Sequence, residues 1–365
     1  MLLAVAASYV APGESSIGVG KTSLSDTPRY LRHAALLERA IANDSSSLWN
    51  TFKTNPDYTW VLEHVSIPLA RRYAAAIAHQ RCDEWLFAPP YPAHYRRNNL
   101  VGGPRTLPFE GVGNVSTTIV RYLKVVCDLT TLFGSLNGFS VAEIGVGYGG
   151  LPQVMISTYE RLGSYMLIDL PPVERLASKY LQHTLPVEHE PPPIRRFHAD
   201  ATPPPLPASG LDLLISNYAF SEQTEAVQLD YLERVVRHAK RGYLTINPWT
   251  GLCKPPLTRL TALLTSYGFD VVVAREVPVS FEGVVRGHGR QEGSFVLWSR
   301  APEDAPRLAR FRDAYANCSR CFESAQQQQR SRTLTPGPHS AKPANWHQQK
   351  PITDHRRGRP PRGAQ

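Results

Sequence analysis

Val141-Ala142-Glu143-Ile144-Gly145-Val146-Gly147-Tyr148-Gly149-Gly150 is a short apolar run that ends in an acid and then opens into four glycines within six residues. Glycine lets a backbone turn through positive φ and approach a ligand closely, so the stretch reads as a strand running into a loop wrapped around a flat or charged group. The spacing Gly145-x-Gly147-x-x-Gly150 also satisfies the dinucleotide fingerprint. Glycine-rich turns without ligands exist too, so the loop alone leaves the choice of cofactor open.

Outward from the loop, strand and helix patterns alternate. Ser116 to Phe133 is strongly periodic, with Ser116 as its cap and Gly134 as its stop, and reads as a helix feeding the strand Phe139–Ile144. Helices are predicted at Leu151–Leu162, Val173–Gln182, Ala226–Ala239 and Leu257–Ser266. Strands are predicted at Ser164–Leu170, Arg195–His198, Leu211–Ser216, Gly242–Ile246, Phe269–Val277 and Ser294–Trp298. Such alternation predicts an α/β protein with an open, doubly wound, Rossmann-like sheet of seven strands. Pro278 to Gly293 holds several glycines and no helical pattern, so the last two strands read as a long hairpin and the final strand as antiparallel.

Upstream, residues 1–27 lack periodicity and read as poorly ordered. Residues 28–113 read as a helical cap bearing substrate-facing loops. Its first helix starts after Asp26 or Thr27 as cap, and its end, from Pro89 to Gly113, is an irregular connection. The sheet domain occupies residues 114–301. The remainder, 302–365, with its glutamines, prolines and arginines, reads as a disordered basic tail.

The 365 residues carry a net charge of +9, and its distribution excludes a simple nucleic-acid reading. After Arg300 there are twelve Lys/Arg against five Asp/Glu, so +7 lies there and +2 is left for residues 1–300. A basic nucleic-acid face on the folded part is therefore not expected. Five cysteines are scattered, and Cys318-x-x-Cys321 lacks the second pair that a zinc site needs, so free thiols in a reducing compartment are expected. No carboxylate and histidine spacing suggests a metal. Met1 to Val10 is apolar but too short to span a bilayer and has no charged leader, which reads as a cytoplasmic protein without a membrane contact.

Three acids fall at the carboxyl ends of successive strands, where open sheets of this kind bind ligands. Glu143 precedes the glycine loop. Asp169, followed by Leu170, is placed to accept from two ribose hydroxyls, and Asp200, followed by Ala201, to accept from an adenine amine. The ordered set points to an adenosine-containing cofactor. Beside a pyrophosphate the carboxylate of Glu143 would be unfavourable, whereas it suits the sulfonium and ammonium of S-adenosylmethionine. A nicotinamide-dependent oxidoreductase remains the first alternative, and a non-catalytic Rossmann-like binding module the second.

Four segments together resemble a known family: Ala142 to Gly150; Leu167-Ile168-Asp169-Leu170-Pro171 with Leu176 and Tyr180-Leu181; Asp212 to Glu222; and Gly242 to Asn247. They look like the sugar O-methyltransferases, S-adenosylmethionine-dependent enzymes with a helical N-terminal region. The resemblance covers roughly residues 55 to 300, and Ser216 to Glu222 is its most specific part. It implies methyl transfer to a hydroxyl of a sugar or similar polyhydroxylated acceptor. The proline-rich insert around Pro191–Pro193 and Pro203–Pro205 and the basic tail depart from the family without touching these segments. A parallel sheet finished by an antiparallel strand is also the arrangement of methyltransferase-type sheets.

Within that reading, Gly145, Gly147, Tyr148 and Gly149 would line the donor, and Asn217 would bond its methionine part or the acceptor. Tyr218 and Phe220 would wall the methyl group. Methyl transfer to an alcohol is an in-line displacement in which a base takes the hydroxyl proton. Glu222 is the first candidate for that base, with a capping role on the following helix as its competing reading. His288, in a glycine-rich loop, is the second candidate. Trp249 would stack on a sugar ring or serve the core.

Overall fold

The computed structural model describes residues 25, 27–42, 46–109, 112–185, 190–199, 210–247, 256–278, 284–285, 289–290 and 293–317. The first helix, α1 (Pro28–Ala42), is capped by Thr27, whose Oγ1 accepts the Tyr30 N–H at 3.3 Å. Short helices follow: α2 (Ser47–Thr51), α3 (Pro56–Thr59), α4 (Ile67–His79), α5 (Asp83–Leu86) and α6 (Tyr91–Arg96). Ser46, Asn55 and Ser66 cap α2, α3 and α4 through their side chains, which explains the frequent restarts along a chain interrupted by prolines.

Next comes an antiparallel hairpin of β1 (Thr106–Phe109) and β2 (Gly113–Ser116), within the stretch that sequence reading leaves irregular. Two four-residue strands, one containing Pro108, are too short to display alternation. Helix α7 (Thr117–Phe133) is buried along almost its whole length. Ser116 makes no capping side-chain bond, contrary to expectation, and its buried hydroxyl has no partner among the described residues.

The sheet is built from β3 (Ser140–Ile144), β4 (Ser164–Asp169), β5 (Ile194–His198), β6 (Leu211–Asn217) and β7 (Ala239–Ile246), all parallel to their neighbours, with β8 (Asp270–Arg275) and the antiparallel β11 (Ser294–Ser299). A two-residue ladder, β9 (Val284–Val285) with β10 (Gly289–Arg290), lies in the connection before β11. Helices α8 (Gly150–Thr158), α9 (Pro171–Thr184), α10 (Glu225–Arg234) and α11 (Pro256–Ser266) complete the alternation. The strand order is β5-β4-β3-β6-β7-β11-β8. Seven strands wound outward from a central β3–β6 pair, with the last strand inserted antiparallel beside the fifth, form the Rossmann-like methyltransferase fold expected from the sequence.

Period-2 side chains divide the core between the two faces. Tyr165 and Leu167 of β4 and Phe295 and Leu297 of β11 pack on one face with the N-terminal helices, α7, α8 and α9. Met166, Ile168, Val296 and Trp298 pack on the other with α10 and α11. The N-terminal helices have no separate core of their own, since Leu36, Phe52, Tyr58 and Leu69 belong to the same cluster as the first face. Where Trp298 lies across from Gly242, a Cβ on that glycine would come within 2.0 Å of the indole, so only glycine fits beneath the ring.

Two expectations are corrected. Residues 302–317, read as the start of a disordered tail, form a 3₁₀ turn at Pro302–Asp304 and a helix, α12 (Ala305–Asn317), packed against β8 and α7. Phe311 and Tyr315 recur at helical spacing and stack at 4.2 Å, supplying an apolar face that a composition reading overlooks. Residues 318–365 lie outside the described part. Cys82 and Cys127, read as free thiols, are joined in a disulfide that ties the segment after α4 to α7. Among the described residues no helix is long and apolar enough to cross a membrane.

Candidate cofactor and acceptor site

The loop after β3 turns through three left-handed glycines, with φ of +82° at Gly145, +56° at Gly147 and +90° at Gly149. At Gly149 a side chain would also press within 3.2 Å of the Ala177 carbonyl and the Tyr180 ring of α9, so the turn is tight from both sides. The turn is fixed from the neighbouring strand. Gly145 donates its N–H to Ile168 O at 2.8 Å, and Gly147 donates to Asp169 Oδ2 at 3.2 Å. The other oxygen of Asp169 accepts the Leu170 N–H at 2.8 Å. Asp169, expected to accept from ribose hydroxyls, is thereby held at the carboxyl end of β4 against the glycine loop.

Glu143, one residue earlier, is buried and accepts the Tyr165 O–H at 2.8 Å. Burial pushes its carboxyl up to about 8, and nearby Asp169 adds to the rise against the pull of the Tyr165 bond and Arg121. An acid in that condition gains most from a ligand that brings positive charge.

Tyr148 turns its ring away from the strand ends and into the layer between loop and N-terminal helices. It meets Tyr180 edge-on at 5.0 Å, and Lys53 Nζ lies 3.8 Å from its ring centre. Lys53 is buried, donates to Asn98 Oδ1 at 2.7 Å, and is pulled by burial well below the usual lysine range, with Glu63 opposing. The Tyr180 O–H reaches the same Asn98 oxygen at 2.8 Å, so one amide links α9 to the cap lysine.

The segment after β6 folds back on itself. Ser216 Oγ donates to Ile144 O and accepts the Phe220 N–H, Ser221 Oγ donates to Tyr218 O, and the Asn247 N–H donates to Ser221 Oγ at 2.9 Å. Asn217 accepts from the Thr245 hydroxyl at 3.3 Å, and its buried Nδ2 has no partner among the described residues. Glu222 is buried and accepts from Asn247 Nδ2 at 3.3 Å. The competing reading of Glu222 as a helix cap is overturned, because Thr224 caps α10 by accepting the Val227 N–H.

Tyr218 sits at φ +70°, a region costly for a residue with a side chain, and its hydroxyl donates to Glu276 at the end of β8. The structure thus brings Glu143, Gly145, Gly147, Asp169, Leu170, Asn217, Tyr218 and Glu222 to the carboxyl edge of β3, β4 and β6. Asp200, Ala201, Trp249 and His288 lie outside the described residues. Among the described residues no group of three His, Cys, Asp or Glu is placed to hold a metal.

Sequence reading missed Glu276, Arg121 and Glu63. Arg121 lies over the rings of Tyr122 and Tyr218, at 5.1 and 5.8 Å, and Glu63 accepts the Thr118 hydroxyl at 3.0 Å. The signal was present for Arg121: Arg121, Lys124 and Asp128 recur at i, i+3 and i+7 on a helix otherwise read as apolar, which places three charges on one face. Glu276 and Glu63 stand alone in loops and leave no such trace.

No protein-family model matches the chain, and no curated protein is similar to it. Among solved structures it is similar to the methyltransferase domain of bacterial CtHen1-C, with 15% identity and TM-score 0.37 over 50% of this chain and 99% of that one. It is similar to a SAM-dependent methyltransferase from Aquifex aeolicus, with 16% identity and TM-score 0.32 over 47% and 92%. A third is precorrin-6y C5,15-methyltransferase from Geobacter metallireducens, at 13% and 0.33 over 48% and 87%.

Proposed function

We propose that the protein is an S-adenosylmethionine-dependent O-methyltransferase acting on a hydroxyl of a sugar or a similar polyhydroxylated acceptor. The observation that carries the reading is the buried Glu143 directly before a glycine loop whose Gly147 N–H is bonded to Asp169. Asp169 offers a carboxylate to ribose hydroxyls, the left-handed glycines let the backbone pass close to the nucleoside, and Glu143 supplies negative charge where the donor carries positive charge. The same carboxylate disfavours a pyrophosphate, which weighs against a nicotinamide cofactor.

The acceptor side is the edge of β6, β7 and β8. Asn217, Tyr218, Glu222, Asn247 and Glu276 collect there, all buried and all polar. A polyhydroxylated ligand can exchange hydrogen bonds with such groups, whereas an apolar one would leave the buried Asn217 Nδ2, which has no partner among the described residues, unsatisfied at a cost of about 1–3 kcal/mol. Glu222 takes the hydroxyl proton as the acceptor oxygen attacks the donated methyl, and Asn247 holds its carboxylate in place. When bound, S-adenosylmethionine supplies the methyl group. The chain aligns oxygen and methyl in line and keeps water out.

Calorimetric titration with S-adenosylhomocysteine and, separately, with NADH tests the donor. Binding of the first and not the second is expected, and the reverse overturns the reading. Transfer of labelled methyl to a panel of free and nucleotide-linked sugars then tests the acceptor, and labelling of none of them sinks that part alone.

A further inference from the structure

Helix α1 lies across the glycine loop. Its buried face, with Tyr30, His33 and Leu37, meets Gly147 of the loop and Val173 and Leu176 of α9 around a crevice with no room for a water molecule. The crevice is therefore too narrow for a nucleoside while α1 stays in place. Tyr30 is 2% exposed, yet among the described residues its hydroxyl has no hydrogen-bond partner. Its phenol is held well above the usual range by burial, with the carboxylates of Asp169 and Glu222 adding to the rise. The hydroxyl is thus buried within electrostatic reach of the carboxylates assigned to ribose and to acceptor, and is bonded to neither.

Polar fastenings of α1 lie mainly at its rim. Glu38 pairs with Arg175, Arg32 with Asp57 at 3.3 Å, and Lys179 Nζ donates to Ile41 O at 2.6 Å. Exposed pairs of this kind contribute about 0–1 kcal/mol each. The remaining hold is the buried face itself: His33, whose Nδ1 lies 3.2 Å from Asp57 O and whose ring meets Tyr58, and the apolar Tyr30, Leu36, Leu37 and Ala40.

We infer that α1 is the lid of the donor site, opening to admit the nucleoside, and that Tyr30 closes over it with its hydroxyl bonded to the ribose or to a site carboxylate through it. This rests on the cofactor reading above for the identity of the ligand, though the opening motion does not. In the ligand-free state the lid is shut on itself and the Tyr30 hydroxyl is unsatisfied. Bound nucleoside satisfies it, so ligand holds the lid closed more firmly than the empty site does.

Amide hydrogen exchange on the full chain, followed by mass spectrometry, tests the motion. Without ligand, amides of residues 31–42 are expected to exchange at least tenfold faster than those of 121–133 in α7, and equal protection of the two helices overturns the lid. With saturating S-adenosylhomocysteine the exchange of 31–42 slows at least tenfold. Tyr30→Ala speeds dissociation of S-adenosylhomocysteine at least tenfold, and Tyr30→Phe, which keeps the ring and the packing, weakens its binding about three- to tenfold. Binding unchanged in both variants overturns the role of Tyr30. Absence of S-adenosylhomocysteine binding to the unaltered protein refutes the cofactor reading, and the ligand-free exchange still decides the lid.

Discussion

The backbone N–H of Gly147 and the carboxylate of Asp169 are joined at 3.2 Å, so the turn after the first sheet strand is fastened to the end of the second. Hydrogen bonds to a charged group contribute about 1.5–3 kcal/mol, which corresponds to roughly 10- to 150-fold in a binding constant when the loop they shape is the binding surface. Asp169→Ala is expected to weaken S-adenosylhomocysteine by that range in a calorimetric titration. Asp169→Asn, which keeps an acceptor for Gly147, is expected to lose less.

The Glu143 carboxyl, raised by burial to about 8, gives donor binding a pH dependence. Below that value the empty site holds a proton, and a cationic sulfonium expels it. Affinity for S-adenosylmethionine should therefore rise with pH through 6 to 8 and level off above, with proton release seen as a buffer-dependent heat. Glu143→Gln should flatten the profile. In the ligand-free protein the sign is opposite for stability: the folded state holds the proton more tightly than the unfolded one. The contribution is therefore full below about 4.5 and lost as pH climbs through 8.

Glu222 accepts from Asn247 at the acceptor edge. Removing a general base slows turnover about 10²- to 10⁴-fold, so Glu222→Gln should do this in a methyl-transfer assay while S-adenosylhomocysteine affinity stays within about threefold. Turnover at the unaltered rate would remove Glu222 from the mechanism.

Asp128 pairs with Lys124 in full burial and also accepts from the hydroxyls of Tyr243 and Tyr315 and from Gln80 Nε2. Losing one partner of a buried pair costs about 3–5 kcal/mol, so Asp128→Asn should lower the unfolding free energy by that order in urea titration. Tyr315→Phe removes one bond and should cost about 1 kcal/mol.

Much of the sheet was legible because its strands are continuous apolar runs punctuated by glycine and proline, and the long gap before Ser294 told a hairpin from a crossover. The donor loop was legible because glycine spacing is local. Less was legible wherever partners are distant in sequence: Tyr218 with Glu276, Cys82 with Cys127, and Tyr30 over Gly147 each join segments whose meeting is decided by the finished fold. Helix α12 escaped because its apolar stripe is short and sits in a strongly charged stretch.

The order β7-β11-β8 has a bearing on how the molecule is made. Among the described residues strand β8 pairs with β11 alone, which is the later of the two to leave the ribosome. Until residues 294–299 emerge, β7 has a bare edge and β8 nothing to pair with, so the half of the sheet that carries Glu276 assembles last. Nascent chains halted before Ser294 should therefore be prone to pair with one another through β7, whereas the β5-β4-β3-β6 half has all its strands available by Asn217.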